Sequence, residues 1–199
     1  MIYKLKPRNI IAVTGTNGKT SVSDLFYQIL QLNNLPTASV GTLGIKYKTK
    51  IIKSNLTTPN TIFLHQALEK INKNKVDNVI IEASSHGLHQ QRLNHLNIKA
   101  GIFTNFSQDH LDYHKSMRTY LNAKLILFKK IIPKNNFVIS DKNIKEFNFL
   151  KSISKKKSLK LLEINDIKNK IDKKSNYRFN KFQLKNIAMA AQAARLCNL

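Results

Sequence analysis

Short strand-like runs alternate with helical patterns along most of the chain. The runs lie at 10–13, 37–40, 79–81, 100–104, 137–140 and 159–164. Apolar residues spaced three and four apart predict helices at 22–30, 62–71, 116–131 and 183–196. Buried strands that alternate with helices form parallel sheets covered on both faces. The pattern therefore predicts an α/β fold, a three-layer sandwich with a mostly parallel sheet and helices on both faces.

Three segments have weaker patterns. The residues from Leu88 to Leu93 favour a short helix after a turn at 83–87. The segment 143–150 favours a poor helix, and we expect 165–181 to be loosely ordered because it is polar and has no clear period. Thr58 and Asn60 are both candidates to cap the helix at 62–71.

A polar loop with two glycines joins the first apolar run to the first helix. It spans Thr14–Ser21, with the sequence TGTNGKTS. Glycines let backbone N–H groups turn toward an anion, and the following helix adds the positive end of its dipole. Lys19 adds a point charge, and Thr20 offers a hydroxyl to Mg²⁺. Val13 stands where the general phosphate-loop pattern has its first glycine, yet the order of strand, glycines, Lys-Thr and helix still predicts nucleotide binding in a P-loop-type sandwich.

Further polar side chains follow the later strands, where open α/β sheets bind ligands. Glu82 directly follows the run 79–81, at the position where a P-loop protein has the acidic residue that binds Mg²⁺ directly or through water. Asp109 and His110 belong to a dense polar cluster after the run 100–104. Glu82 alone fits a solvated strand end equally well, and a lone histidine is usually structural. The density of the cluster shifts the prediction toward a site.

Lys124 is predicted to lie in the middle of the apolar stripe of its helix. The other members of the stripe are Met117, Tyr120, Leu121, Leu127, Phe128 and Ile131. Burying a bare ammonium group is costly, so this side chain either extends to solvent or is held by a specific partner.

The length and composition are those of a globular protein of one domain, or of one domain with a small appendage. The chain has 199 residues, 42% of them hydrophobic, and its one cysteine, Cys197, excludes an internal disulfide. We expect a cytoplasmic protein with no membrane partner, because there is neither a long apolar stretch nor a signal-peptide pattern. The formal net charge of +23 accompanies many Lys, Asn and Ile residues, a bias typical of A/T-rich codons. Aromatic residues do not interleave with the charges, so we expect weak retention of polyanions and no specific nucleic acid partner.

Several motifs, taken in order, resemble the Mur ligase family. They are the loop 15–21, the sequence TTP at 57–59, the sequence EASSHGL at 82–88 and the sequence TNFSQDHLDYH at 104–114, followed by Ala123-Lys124. The sequence FQLKN at 182–186 resembles a motif near the end of the family's central domain. The Ser-Ser-His-Gly-Leu sequence is similar to that of the MurE branch, which adds an amino acid to UDP-N-acetylmuramoyl-dipeptide.

This resemblance implies an ATP-dependent ligase of peptidoglycan precursor synthesis. ATP phosphorylates the carboxylate of the UDP-linked dipeptide, and the amine of an amino acid then displaces phosphate from the acyl phosphate. The residues implied to contact ATP are Gly15, Thr16, Asn17, Gly18, Lys19, Thr20, Ser21 and, near the adenine, Asn186. The residues implied to contact the UDP-sugar-peptide are Thr57, Thr58, Ser84, Gln90 and Arg92.

The resemblance also implies two magnesium sites. Thr20 and Glu82 would hold one Mg²⁺, and His110 would hold a second. Lys124 matches the family lysine that CO₂ converts to a carbamate, an anion that supports the second metal. Lys19, Glu82, His110 and Lys124 are thus the expected catalytic set, and a carbamate would explain a lysine on an apolar stripe.

Only the central domain of a three-domain family is matched, over residues 1–199. We therefore expect the N-terminal UDP-binding and C-terminal amino-acid-binding domains to be absent, and the chain to be incomplete as an enzyme unless they are supplied in trans. Two alternatives stay open. One is a non-catalytic nucleotide-binding remnant, and the other is the central domain of a folylpolyglutamate synthase-like ligase.

Overall fold

A single sheet forms the middle layer of the protein. A computed structural model describes residues 6–175 and 177–199. Within these residues the strands are β1 (Asn9–Thr14), β2 (Thr37–Gly41), β3 (Gly44–Tyr47), β4 (Lys50–Ile52), β5 (Asn78–Glu82), β6 (Ile98–Phe103), β7 (Phe137–Ser140) and β8 (Lys160–Glu163). Their order across the sheet is β4-β3-β2-β5-β1-β6-β7-β8. The β2–β3 and β3–β4 pairs are antiparallel and the other pairs are parallel, which confirms the predicted sheet.

Helices cover both faces of this sheet. They are α1 (Lys19–Leu32), α2 (Thr61–Lys73), α3 (Ser85–His89), α4 (Leu111–His114), α5 (Met117–Ile126), α6 (Phe147–Lys157), α7 (Asn165–Lys174) and α8 (Lys181–Arg195), and a π-helical segment, Leu127–Ile131, extends α5. Helices α1, α7 and α8 contribute to the apolar core on one face. Helices α2, α3, α5 and α6 contribute to the core on the other face, so the predicted three layers are confirmed. Among the described residues, no helix combines the length and apolarity that a membrane crossing demands.

The strand order brings three strand ends together. β5 and β6 flank β1 in parallel, with Val13 beside Glu82 and Thr14 beside Phe103. The loop after β1 therefore lies between the residues that follow β5 and those that follow β6. In an open α/β sheet this edge is where ligands bind.

The segment 165–181 is more ordered than its composition indicates, so that expectation was wrong. It contains α7 and the start of α8, and residue 176 lies outside the described residues. Ile164, Ile167 and Ile171 are spaced three and four apart and join the core with α8. Three isoleucines among many charged residues form a helical stripe that is too sparse to recognise without its packing partner.

Two other helix predictions need correction. Helix α3 begins at Ser85 and not at Leu88, because the Ser84 hydroxyl accepts a hydrogen bond from the Gly87 N–H at 3.0 Å and caps it. Helix α6 runs from Phe147 to Lys157, beyond the predicted 143–150. At α2 the cap is Asn60, whose side-chain oxygen accepts from the Phe63 N–H at 2.9 Å.

Candidate active site

The loop between β1 and α1 presents an uncapped helix N-terminus. Gly18 is the N-cap of α1 and has a φ of 85°, in the left-handed region that favours glycine. A Cβ at Gly18 would lie 2.9 Å from the Oδ1 of Asn186 on α8, so close packing also requires glycine. Because no described side chain caps α1, N–H groups of its first turn remain available to an anion.

Residues at the end of β6 fix the shape of this loop. The N–H groups of Thr16 and Asn17 donate to the backbone oxygen and side-chain oxygen of Asn105, at 3.0 and 2.9 Å. The Thr104 hydroxyl donates to the Asn17 carbonyl at 2.6 Å. Gly15 has a φ of 145°, and a Cβ there would overlap the Thr104 hydroxyl oxygen. Thr104 and Asn105 were not predicted as site residues, although their position at the end of a buried strand was a usable signal.

Lys19 turns back over the loop. Its Nζ donates to the carbonyl oxygens of Gly15 and Thr16, at 2.9 and 2.8 Å. Burial lowers the pKa of Lys19, and the negative charges of Glu82 and Asp109 oppose that change. The lysine head group therefore lies where a phosphate on the α1 N-terminus would meet it.

Glu82 is buried beside Thr20. Only 2% of Glu82 is exposed, and its Oε2 accepts from the Thr20 hydroxyl at 2.9 Å. Its Oε1 accepts from the Thr42 N–H at 2.9 Å, and a Cβ on Gly41 would overlap that oxygen. Thr42 and Gly41 were not predicted as site residues, although Thr42 directly follows a strand at the same sheet edge. A hydroxyl and a carboxylate held side by side are oxygen donors of the kind that Mg²⁺ prefers.

Lys124 is buried and does not extend to solvent. It is 1% exposed, its Nζ donates to the Gly15 carbonyl at 2.8 Å, and it lies 4.3 Å from the ring centre of Tyr120. Burial and, to a smaller extent, the charge of Lys19 lower the pKa of Lys124 to about 7, while the charge of Asp109 opposes this change. A buried amine with such a pKa is largely neutral at slightly alkaline pH and so has a free lone pair.

One cleft of about 260 Å³ brings most of the predicted residues together. Its lining comprises Thr16, Asn17, Gly18, Lys19, Thr20, Ser21, Thr42, Thr57, Glu82, Ser84, Ser85, His110 and Lys124. His110 enters it from the residue before α4 with a φ of 51°, and its Nε2 lies 3.5 Å from the Oδ2 of Asp109. Strained left-handed backbone at a non-glycine residue is frequent at functional sites.

The remaining predicted residues lie around this cleft. Thr58 is buried, and its hydroxyl donates to the Glu82 carbonyl at 2.7 Å. Arg92 donates to the Thr58 carbonyl at 2.6 Å and to the Gln90 side-chain oxygen. Gln90 and Arg92 thus form a pair behind the Thr58 backbone and do not line the cleft, whereas Asn186 packs against Gly18 on the other side of the loop.

The donor groups fit a magnesium–nucleotide complex better than a metal held by protein alone. Within the described ranges, no group of three or more His, Cys, Asp or Glu side chains has the arrangement of a metal site. Mg²⁺ in nucleotide enzymes is commonly bound by one or two protein oxygens, with water and phosphate completing its shell. Thr20 and Glu82 supply such a pair of oxygens.

A cluster of histidines lies next to the cleft. The ring centres of His86 and His110 are 5.0 Å apart, and those of His86 and His114 are 5.4 Å apart. His114 is buried, and its Nε2 has no hydrogen-bond partner within the described part of the chain. Burial, together with smaller contributions from the charges of His86, His89, Lys124 and His110, lowers the pKa of His114 to about 4.

We expect His114 to make the protein sensitive to acid. Between the unfolded pKa of about 6.5 and the folded pKa of about 4, the unfolded chain binds a proton that the folded chain does not, so stability falls as the pH falls through that window. The free energy of unfolding should therefore decrease between neutral and acidic pH, and in His114→Phe this decrease should be smaller by about 1–3 kcal/mol. Urea unfolding at about pH 7.5 and about pH 4.5 measures it. His95→Asn, at an exposed histidine, is the control, and an unchanged loss in His114→Phe would contradict the prediction.

Sequence comparisons identify related proteins. The profile of the Mur ligase middle domain matches residues 13–194. A UDP-N-acetylmuramoyl-L-alanyl-D-glutamate–2,6-diaminopimelate ligase from Rickettsia bellii is 41% identical over 168 residues, which are 81% of this chain and 35% of the relative. The ligase of the same name from Bradyrhizobium diazoefficiens is 44% identical over 131 residues, which are 66% of this chain and 27% of that relative. The matched part of the chain thus spans between about a quarter and about a third of the length of these relatives.

Solved structures agree with this result. A structure of a UDP-N-acetylmuramoyl-L-alanyl-D-glutamate–2,6-diaminopimelate ligase superposes with a TM-score of 0.80 at 25% identity, over 98% of this chain and 44% of that one. The apo form of folylpolyglutamate synthase from L. casei gives a TM-score of 0.70 at 15% identity, over 96% of this chain and 58% of that one, a likeness that shows the fold alone. Because the family profile covers most of its length, the chain belongs to the Mur ligase middle domain family.

Proposed function

We propose that this chain is the ATP- and Mg²⁺-binding central domain of a cytoplasmic ligase that adds an amino acid to UDP-N-acetylmuramoyl-dipeptide. The convergence of Lys19, Thr20, Glu82, His110 and Lys124 on one cleft is the observation that carries this proposal. The names of the two bacterial relatives support the substrate class. Since the chain spans 35% of the Rickettsia bellii relative, ligation would also require regions outside 1–199, in the same polypeptide or supplied by another.

When bound, ATP supplies the phosphoryl group that activates the dipeptide carboxylate as an acyl phosphate, while Mg²⁺ balances the phosphate charge. The residues of the chain would bind and orient the nucleotide and its Mg²⁺. The N–H groups at the start of α1 and the Lys19 ammonium group would hold the β- and γ-phosphates, with Lys19 leaving its two carbonyl partners in the loop. Thr20 and Glu82 would hold Mg²⁺, and Asn186 would contact the adenine from beside Gly18.

A second metal would be held by His110 and a carbamate on Lys124. Both residues line the cleft with Glu82, which supports a shared role. Carbamate formation joins Nζ of the neutral amine to the carbon of CO₂ and releases one proton. Counted from the ammonium form, two protons are released and a buried cation is replaced by an anion. Thr57 and Ser84 line the same cleft and would contact the substrate peptide, whereas Thr58, Gln90 and Arg92 would form the adjacent wall; the assignment of these three rests on the resemblance.

Ligation assays test this function. The purified chain is mixed with ATP, Mg²⁺, UDP-N-acetylmuramoyl-dipeptide and diaminopimelate, alone and fused to the flanking regions of the Rickettsia bellii relative. We expect the chain alone to bind Mg-ATP, and we expect ADP release and tripeptide formation from the fusion only. Rapid ligation by the chain alone would contradict its role as a partial enzyme.

Two further outcomes separate the alternative functions. Product formation from a folate and glutamate, with none from the UDP-linked dipeptide, would contradict the proposed substrate. Failure of the chain and the fusion to bind Mg-ATP would contradict the enzyme assignment and favour a non-catalytic remnant.

A further inference from the structure

A second, larger concavity lies away from the candidate active site. It is a groove of about 740 Å³ between α5 and α6, and none of its lining residues lines the nucleotide cleft. Leu121 and Leu125 of α5 form one wall, and Phe149 and Ile153 of α6 form the other. Because each pair is four residues apart, each wall is one face of a helix.

The floor of the groove is apolar, and one aromatic side chain remains uncovered. Ile153 is 8% exposed and Leu125 is 3% exposed, so both belong to the core. Phe149, in contrast, is 57% exposed. A large apolar side chain beside a concave apolar surface is typical of a protein–protein contact.

The rim of the groove is basic. Arg118 and Lys129 lie on the α5 side, and Lys156 and Lys157 lie at the end of α6. Of the described residues that line the groove, none is acidic. The rim charge therefore matches an acidic partner and repels a basic one.

We propose that this groove binds an acidic amphipathic helix of a partner protein. Two facing rows of apolar side chains fit a helix with apolar residues spaced three and four apart, and the basic rim fits acidic residues on its flanks. A second copy of this chain is a poor occupant, since each copy carries a formal net charge of +23. A membrane is a poor occupant as well, because most of the apolar residues line a concavity and do not protrude.

A labelled peptide tests the proposal on the whole chain. The probe is a helical peptide of about 18 residues, with leucines spaced three and four apart and glutamates on its flanks. Its control has the same composition with the leucines spread around the helix. Fluorescence anisotropy should show at least about tenfold tighter binding of the amphipathic peptide.

Matched variants locate the binding site. Phe149→Gln should weaken binding about tenfold or more, whereas Leu32→Gln, at an 83% exposed leucine of α1 on the opposite face of the sheet, should leave it unchanged. If Phe149→Gln fails to fold, the pair Lys156→Glu and Lys157→Glu replaces it and should also weaken binding.

Several outcomes would overturn the proposal. If the control peptide bound as tightly as the amphipathic peptide, charge attraction alone would explain the binding. If none of the groove variants weakened peptide binding, the peptide would bind elsewhere. Dimers in sedimentation velocity that Phe149→Gln removes would assign the groove to a second copy. Flotation with phosphatidylglycerol vesicles that Phe149→Gln abolishes, without peptide binding, would assign it to a lipid surface.

Discussion

Replacing Lys19 with alanine is expected to weaken the binding of Mg-ATP about 10- to 100-fold. The side chain is partly buried at the start of α1 and lines the cleft, and its Nζ donates to two loop carbonyls. A charged hydrogen bond to phosphate contributes roughly 1.5–3 kcal/mol, which corresponds to this change in the dissociation constant. Isothermal titration calorimetry of the chain with Mg-ATP measures it.

A matched variant separates the site from the overall charge. Lys151→Ala removes the same charge from an exposed position on α6 and should leave the affinity for Mg-ATP unchanged. Circular dichroism establishes that both variants fold. Equal affinities of Lys19→Ala and the unmodified chain would contradict phosphate binding by this loop and would favour the remnant interpretation.

The part of the site that follows from local sequence was predictable. Gly15, Gly18, Lys19 and Thr20 belong to one loop, and the order of strand, glycine and helix predicts that loop as a candidate phosphate site. Lys124 was identifiable because a lysine interrupted a helical apolar stripe, and the structure confirms that it is buried.

The part that depends on strand pairing was not predictable. Thr42 contacts Glu82 although the two are 40 positions apart, because β2 lies beside β5 in parallel register. Gly41 leaves room for the Glu82 carboxylate, and the local sequence around Gly41 does not reveal this contact. Thr104 and Asn105 reach the loop for the same reason, since β6 lies beside β1.

The helices and strands also divide into those that the local sequence predicts and those that depend on tertiary contacts. Uniformly apolar runs identified the central strands, whereas α7 depends on the burial of Ile164 and Ile167 in the core that it shares with α8. Helix α3 was misplaced because its start is set by a single cap, Ser84, and not by an apolar period. Tertiary contacts and caps thus decided the elements that periodicity missed.

Replacing Lys124 with alanine is expected to lower the ligation rate of the fusion with the Rickettsia bellii flanking regions at least about 100-fold. The proposed carbamate is lost, and with it the anion that would support a second metal beside His110. Because the pKa of Lys124 is about 7, raising the pH from about 6 to about 8 increases the neutral amine that reacts with CO₂. The carbamate should therefore form more completely at the higher pH, and ¹³C NMR with labelled bicarbonate measures it directly, with no such signal in Lys124→Ala.

Chemical rescue distinguishes the carbamate from a structural role of the same lysine. Formate or acetate at roughly 100 mM should restore part of the ligation rate of Lys124→Ala, because a small carboxylate can occupy the space of the lost side chain and carry its charge. Lys130→Ala, at an exposed lysine of the π-helical segment, should retain the full rate and gain nothing from formate. The carbamate would be contradicted if carboxylates did not restore the rate and the unmodified enzyme gave no carbamate signal. Lys124 would then act through its hydrogen bond with the Gly15 carbonyl. In that case the lysine would position the phosphate loop and would not support a metal.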